Sequence, residues 1–348
     1  MRNQSTGRGH YRALVIVIAL AFVACNGEST IGSSTTSAEV ETPETEDTAY
    51  PVTITHAYGE TTIPAQPERV FSISYRHQDL LYQLGIAPIG VREWWGEYEY
   101  ATWPWGEEAR SAVGAEPVVM TGDELNIEMV SAEEPDLIIA VYSGMTEDQY
   151  ELLSEIAPVV GPSADYEEFG TPWRVEVETI GAALGKSEEA EAVIAGVEEE
   201  IAAVRSDHPE FEGATIALAD YVDGGFTTYG SSDASHQFLI ELGFTIPEVF
   251  DEMAPGAFSR VDIGAERADL LDLDVVVWYA YAREEIEANP VFQTLDLAAE
   301  DRSVWLEDPV LEAAFSFQTP LSMGYTLDHL VPLLEAAIDG DPSTTTDG

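Results

Sequence analysis

Four of the seven tryptophans lie within a short segment of the chain, at Trp94, Trp95, Trp103 and Trp105. Glycine and acidic residues flank these rings, a composition that favours a loop over a helix or a strand. Each indole offers a large apolar face and one N–H donor, so a loop carrying four of them can form a wall of a ligand cleft. Burial of the rings in the hydrophobic core is the alternative interpretation.

A second set of aromatic residues lies at the ends of two predicted strands: in a predicted loop at 224–230 that follows the strand at 214–221, and at the end of the strand at 275–281. This set consists of Phe226, Tyr229, Tyr279 and Tyr281. In α/β sheets, ligands bind beyond the carboxyl ends of the strands. We therefore expect these rings to face the same ligand as the tryptophans, from the opposite side of a cleft.

Cationic contacts to a ligand would have to come from arginine, because the chain has a single lysine. Arg76 follows a predicted strand at 70–74, and Arg283 comes just after Tyr281. Surface salt bridging is the alternative role for both, and for Arg174 at the start of a predicted helix. The loop 231–236 contains Asp233 and no arginine, which suits a neutral or cationic ligand better than an anionic one.

Two other kinds of chemistry remain open at this stage. A divalent-metal receptor needs several imidazole and carboxylate ligands that converge on one ion. His77, His236 and some of the acidic residues could meet on folding, although the histidines are scattered along the sequence. A secreted hydrolase that uses two carboxylates is the enzyme-class alternative, since 65 acidic residues make chance pairs inevitable.

The overall charge restricts the possible partners. Lysine and arginine number 14 against 65 aspartates and glutamates, which gives a net charge of −51. Such a surface repels phosphate backbones and anionic membranes, so we expect no nucleic-acid binding. The 45% content of hydrophobic residues is sufficient for a large core.

The first 25 residues have the pattern of a secretory signal peptide. Three arginines precede an apolar run at 13–23, which ends close to Cys25. The run is too short to span a bilayer, which takes about 20 residues; a poorly anchored membrane helix is the alternative. Cys25 is the only cysteine, and its position resembles the lipobox of bacterial lipoproteins, in which the cysteine is acylated.

Polar, low-complexity segments flank the part of the chain that should fold. Residues 26–50 are rich in Ser, Thr and Glu and predict a flexible tether, and 340–348 predict a disordered tail. A lipid on Cys25 and this tether would hold the folded part at the outer face of the bacterial cell membrane.

Between these segments, strand-like runs at 52–55 and 61–64 predict a hairpin at the start of the folded part. Short apolar runs then alternate with helical patterns, one of them near 127–132, which predicts α/β units with largely parallel sheets.

Two landmarks recur in order: a helix ending in Leu-Gly, and a short acidic helix before a buried strand. We therefore predict an N-terminal lobe at 51–170 and a C-terminal lobe at 207–339; coincidence of common α/β patterns is the alternative. The stretch 171–206 predicts a helical backbone with one buried stripe, which would brace the lobes and permit only small closure.

Four segments together resemble a known family, at 63–91, 126–139, 150–158 and 263–277. In order and spacing they are similar to the substrate-binding lipoproteins of iron–siderophore ABC importers. The resemblance implies class III architecture, with two Rossmann-like lobes joined by a long backbone helix. It also implies that a ferric siderophore is captured between the lobes and delivered to an ABC permease in the cytoplasmic membrane, without chemistry on the ligand.

The resemblance further implies a monomer that is not an enzyme and has no cofactor or resident metal. Glu128 and Glu266, one on each copy of the acidic helix, match the glutamates that pair with permease arginines in this family. Phe317 falls in a segment that lines the cleft in relatives. Cobalamin or haem is the alternative cargo. The candidate ligand contacts are Arg76, Trp94, Trp95, Trp105, Trp173, Phe226, Tyr229, Tyr279, Tyr281, Arg283 and Phe317.

Overall fold

The structure is a computed structural model that describes residues 49–167, 169–253 and 259–341. The predicted signal peptide, Cys25, nearly all of the tether and most of the C-terminal tail lie outside the described residues. Tyr50, at the end of the predicted tether, packs against the fold, and its hydroxyl donates a hydrogen bond to the carbonyl of Ala183 at 3.1 Å.

A β-hairpin opens the described chain. Strands β1 (Val52–His56) and β2 (Gly59–Ile63) pair in antiparallel register. Their burial alternates along each strand, with Ile54 and Ile63 pointing into the core. This alternation follows from the period of two in a half-buried strand and confirms the predicted hairpin.

The N-terminal lobe is built on a five-stranded sheet in which every pair of neighbours is parallel. Its strands are β3 (Val70–Ser72), β4 (Gly90–Arg92), β5 (Val118–Met120), β6 (Leu137–Ile139) and β7 (Val159–Val160), in the order β5-β4-β3-β6-β7. Its helices are α1 (Gln78–Gln83), α2 (Glu107–Val113), α3 (Ile127–Ala132) and α4 (Glu147–Ser154). The central strands β3 and β6 are buried on both faces, as in other sheets covered by helices on both sides.

Two consecutive helices connect the lobes, α5 (Trp173–Ala183) and α6 (Ser187–Asp207). The break between them lies at Gly185, whose φ of 65° is left-handed and favours glycine. Helix α6 has 21 residues and is therefore about 30 Å long. Ala190, Ile194 and Val197 lie on its buried stripe, as the 3–4 residue spacing predicts.

The C-terminal lobe contains a mixed five-stranded sheet. Its strands are β8 (Ile216–Val222), β9 (Gly225–Tyr229), β10 (Arg260–Ile263), β11 (Val275–Tyr279) and β12 (Ser303–Leu306), in the order β10-β9-β8-β11-β12. Its helices are α7 (Ala234–Glu241), α8 (Glu248–Met253), α9 (Arg283–Glu287), α10 (Asp296–Ala299), α11 (Pro309–Phe317) and α12 (Pro320–Ile338). Strands β8, β11 and β12 are parallel, whereas β9 pairs antiparallel with both of its neighbours.

The segment that we predicted as a loop at 224–230 is largely strand β9. Asp223 and Gly224 form the two-residue turn between β8 and β9, and both have positive φ, 54° and 82°. An Asp-Gly pair of this kind is a strong hairpin signal that our sequence interpretation overlooked. This hairpin turns the side chain of Phe226 into the core and leaves Tyr229 at the strand end.

The lobes share a hydrophobic core. Helix α5 packs against β1, and α6 packs against α12 of the C-terminal lobe. Buried residues of the hairpin, of both connecting helices and of the β8–β11 region belong to one continuous cluster. This continuity limits relative movement of the lobes, because separating them would expose part of that cluster.

Candidate ligand-binding cleft

Phe317, at the end of α11, lies at the centre of an aromatic cluster between the lobes. Its ring centroid lies 5.1 Å from that of Trp94, 4.8 Å from Trp95, 5.8 Å from Trp103 and 5.4 Å from Trp105. The indoles come from the N-terminal lobe, so the ring of Phe317 joins the two lobes by aromatic packing.

The four indoles have two different environments. Trp103 is buried, and its ring stacks on Trp105 with centroids 5.0 Å apart. Trp95 is 36% exposed and Trp94 is partly buried. Trp94 and Trp95 can meet a ligand, whereas Trp103 and Trp105 belong to the contact between the lobes. The prediction of Phe317 as a ligand contact is therefore corrected, because its ring is buried. Trp105 packs on Trp103 and Phe317 but is only partly buried, so its contact with a ligand stays a prediction.

A glycine permits this packing. Gly96 has a φ of 106°, and a side chain at this position would come within 2.5 Å of the Trp103 ring. The loop can therefore fold back on its own tryptophans only because residue 96 has no Cβ.

The loop tryptophans line a cavity of about 210 Å³ between the lobes, which we call the aromatic cavity. Trp94, Trp95 and Tyr142 contribute from the N-terminal lobe, and Tyr229 and Tyr279 from the C-terminal lobe. The remaining lining residues are Leu218, Asp233, Ala234, Ser235 and Ser316. The structure thus brings together four of the predicted ligand contacts, namely Trp94, Trp95, Tyr229 and Tyr279. Tyr142 was missed, although it follows β6 and obeys the same strand-end rule.

Two further cavities adjoin the aromatic cavity. One of about 250 Å³ is lined by Trp173, Gln318 and Phe169, among others, and one of about 410 Å³ by Tyr142, Phe169 and neighbouring residues. Ala234 is common to the first of these and the aromatic cavity, and Tyr142 to the second and the aromatic cavity. The rings of Tyr142 and Phe169 touch edge to face, with centroids 4.8 Å apart, and stand where the cavities meet.

Trp173, predicted as a ligand contact, lies in the wall of the 250 Å³ cavity. Its Nε1 and the Oε1 of Gln318 in the same wall are buried and have no hydrogen-bond partner among the described residues. A buried donor or acceptor without a partner is costly, so these atoms are available to a ligand or to water.

Arg76 does not offer the free cationic contact that we predicted. Its side chain is 2% exposed; Nη2 donates to Glu176 Oε2 at 2.8 Å and Nη1 to the carbonyl of Phe317 at 2.7 Å. The guanidinium also lies 3.9 Å from the centroid of the Tyr142 ring. His77 Nε2 lies 3.0 Å from the same Glu176 oxygen. Arg76 borders the 250 Å³ cavity, but its charge is already paired within the protein.

Three other predicted contacts lie away from the aromatic cavity. Phe226 is 2% exposed and packs against Tyr221 and Trp278 in the core, so its prediction as a ligand contact is wrong. Arg283 pairs with Glu287 at 2.8 Å and with Glu307, so its charge is paired within the protein. Tyr281 is 67% exposed outside the cavity, and its hydroxyl donates a hydrogen bond to Asp220.

A buried carboxylate forms a second polar contact between the lobes. Asp79 on α1 accepts hydrogen bonds from Trp105 Nε1 and from Thr319 Oγ1, both at 2.8 Å, and Thr319 caps α12 of the C-terminal lobe. Burial raises the pKa of Asp79 to about 6, and the two hydrogen bonds only partly oppose this effect.

Glu128 and Glu266 are both exposed, as a docking role requires, and neither forms an ion pair with a described residue. Glu128 lies in the first turn of α3, and Glu266 in the first turn of a 3₁₀ helix at Ala265–Leu271. In the described ranges, no group of three or more His, Cys, Asp or Glu residues could hold a metal ion.

Comparison with known proteins identifies the family. A family model for periplasmic binding proteins matches residues 70–308. The chain belongs to the periplasmic binding protein family. No helix in the described part of this periplasmic binding protein is long and apolar enough to cross a membrane.

Solved structures agree with this assignment. A periplasmic solute-binding protein from Mycobacterium smegmatis is 32% identical, with a TM-score of 0.73 over 82% of this chain and 98% of its own. PiaA from Streptococcus pneumoniae in complex with ferrichrome is 27% identical, with a TM-score of 0.74 over 83% of this chain and 99% of its own. The predicted class III, two-lobed α/β architecture is confirmed.

Among curated relatives, the probable siderophore-binding lipoprotein YfiY of Bacillus subtilis is 24% identical over 279 residues, 79% of either chain. This periplasmic binding protein therefore spans most of the length of a relative that is named as a lipoprotein.

Proposed function

We propose that this periplasmic binding protein captures a ferric siderophore between its lobes and delivers it to an ABC permease without changing it chemically. The observation that carries the proposal is the aromatic cavity, which places rings from both lobes around one space. The iron of a ferric siderophore is already saturated by the chelate. Its receptor therefore needs shape, flat apolar faces and a few donors rather than direct metal ligands.

The size of the cleft is consistent with such a ligand. Ligand pockets usually measure about 300–1,000 Å³, and the aromatic cavity alone is smaller than this. Together with its two neighbours of about 250 and 410 Å³, which share lining residues with it, the combined volume reaches that range. A bulky chelate would join the three cavities by displacing the contact between Tyr142 and Phe169. The relatives named for siderophore and ferrichrome binding support the same ligand class.

Quenching of tryptophan fluorescence tests the proposal. We expect quenching by one or more ferric siderophores, and none by free ferric ion or zinc. Trp95→Ala should weaken binding about tenfold, because the exposed indole forms one wall of the cavity. Leu152→Ala, at an exposed site away from the cleft, serves as the control. Indifference to every siderophore, together with a response to cobalamin or haem, would contradict the proposal.

Docking to the permease would use Glu128 and Glu266, the exposed glutamates of the two lobes. Reversing both charges, Glu128→Arg with Glu266→Arg, should abolish uptake by cells while the affinity of the purified protein for its ligand stays unchanged. Loss of ligand affinity in the double variant would refute this assignment.

Anchoring would depend on Cys25. We expect Cys25→Ser to release the protein from the cell surface into the medium. A protein that stays attached after this substitution would contradict anchoring through a lipid on this cysteine.

A further inference from the structure

The aromatic cavity contains one ionisable acid among its rings. Trp94, Trp95, Tyr142, Tyr229 and Tyr279 supply aromatic faces, and Asp233 is the only charged residue in the lining. Aromatic faces attract cations through the negative potential above each ring. A carboxylate adds a charge-assisted hydrogen bond to any N–H donor of such a cation.

Asp233 keeps one carboxylate oxygen available. The residue caps α7, and its Oδ1 accepts hydrogen bonds from the backbone N–H groups of Ser235 at 2.9 Å and His236 at 3.3 Å. Within the described ranges, Oδ2 has no hydrogen-bond partner and no cation forms an ion pair with Asp233.

The neighbouring histidine does not balance this charge. The backbone N–H of Leu218 donates to Nε2 of His236 at 2.8 Å, so this nitrogen must be unprotonated. The other ring nitrogen, Nδ1, lies 2.9 Å from the carbonyl of Gly230 and donates to it. Both positions are therefore those of a neutral imidazole, and burial lowers the pKa of His236 in agreement with this state. Burial also raises the pKa of Asp233, so a cation in the cavity would favour its charged form.

Further acidic side chains lie near the residues that line the cavity. Burial raises the pKa of Tyr229, and the charges of Asp233 and Asp220 raise it further. Burial also raises the pKa of Glu312, again with a contribution from Asp220. Arg76, the single cation that borders the adjoining cavities in the described structure, is paired with Glu176. Arg260 opposes these effects on the pKa of Tyr229, but it pairs with Asp262 at 3.3 Å and does not line the aromatic cavity. An anionic chelate would therefore meet Asp233 in this lining and no arginine.

We infer that the aromatic cavity binds a positively charged substituent of the chelate, such as a protonated alkylamine, with Asp233 as its charge partner. This inference rests on the proposed function and names the chemical class of its ligand. The volume of about 210 Å³ suits one substituent rather than a whole ferric complex. The iron-bearing part of the ligand would then occupy the adjoining cavities.

A matched pair of ligands tests the inference. Ferrioxamine B is a ferric tris-hydroxamate with one protonated amine, and N-acetylation removes this charge while leaving the iron coordination intact. With the wild-type protein we expect the acetylated chelate to bind about tenfold more weakly or worse, because it loses the charge-assisted contact. Asp233→Asn should bring the two affinities to within about threefold, since asparagine also caps helices well. Asp308→Asn, at the cap of α11 outside the cavity, should retain the wild-type ratio.

The outcomes separate this inference from the proposed function. Equal affinity of the two chelates for the wild-type protein, or an unchanged ratio in Asp233→Asn, would overturn the charge recognition alone. Binding of neutral ferrichrome without any binding of ferrioxamine B would do the same and leave siderophore capture standing. Failure of ferrichrome and both ferrioxamines to quench tryptophan fluorescence would count against the proposed function itself.

Discussion

Removing the charge of Glu176 should destabilise the protein far more than removing a comparable surface charge. The side chains of Glu176 and Arg76 are 3% and 2% exposed, and their closest atoms are 2.8 Å apart. Glu176→Gln keeps the shape but leaves the guanidinium buried without a counter-charge. Breaking a buried ion pair in this way costs about 3–5 kcal/mol. Since about 1.4 kcal/mol is a factor of ten, the ratio of folded to unfolded protein should fall by roughly 100-fold or more.

Urea unfolding followed by tryptophan fluorescence and circular dichroism measures this loss, and coincident transitions would justify a two-state analysis. Glu198→Gln is the matched control: Glu198 pairs with Arg174 at 2.6 Å, but its side chain is 49% exposed. An exposed pair contributes about 0–1 kcal/mol. Equal losses for Glu176→Gln and Glu198→Gln would refute the argument from burial. Replacing both members of the buried pair, with Arg76→Met and Glu176→Met, should recover part of the loss.

Three further predictions concern the polar contact between the lobes, the aromatic cluster and the surface charge. Because the pKa of Asp79 rises from 3.8 to about 6 on burial, the folded state binds this proton more tightly than the unfolded state. Protonated Asp79 therefore stabilises the folded state by about 3 kcal/mol below about pH 4. This stabilisation is lost as the pH rises through 6 and the carboxyl group ionises. Between pH 4 and pH 7 the wild type should therefore lose unfolding free energy relative to Asp79→Asn, which does not titrate at this position. A constant difference between the two proteins would contradict the prediction. Phe317→Ala should lower the free energy of unfolding by about 3–5 kcal/mol, whereas Leu152→Ala, at an exposed site, should lower it by less than about 0.5 kcal/mol. The loss of the Phe317 ring should also shift tryptophan emission to longer wavelength. A small loss of stability without this shift would contradict the packing role. With a net charge of −51, thermal stability should rise from 0.1 to 1 M NaCl as the screening length falls from about 10 to about 3 Å, and a melting temperature independent of salt would show that this repulsion is unimportant.

Local sequence patterns were sufficient to predict many of the secondary-structure elements. The alternation at 52–63 predicted the first hairpin, and helix α3 begins and ends as predicted from its acidic start and apolar spacing. Strands β5 and β7 were missed because they have three and two residues, too few to show a period. The hairpin of β8 and β9 was missed because the segment 224–230, which begins in its turn, was interpreted as a ligand loop.

The candidate site was harder to predict, because a residue's type does not identify its partner. Arg76 was a reasonable choice for a ligand contact until the fold placed Glu176, 100 residues away, beside it. Phe226 and Tyr229 are three residues apart on one strand, yet one ring is in the core and the other at the cavity. Asp233 was noticed from the sequence as suited to a neutral or cationic ligand, but the sequence did not predict which rings would surround it.

The sequence by itself determined the α/β class, the acidic surface and the presence of clustered rings, because composition and short-range periodicity are encoded locally. Only the tertiary structure decided which indoles face the cleft and which pack on Phe317, because each ring's exposure depends on residues from the other lobe. The same holds for charge: Arg76 is paired with Glu176, whereas Asp233 has no ion-pair partner in the part of the chain that the structure describes. Neither state can be inferred from neighbours along the chain.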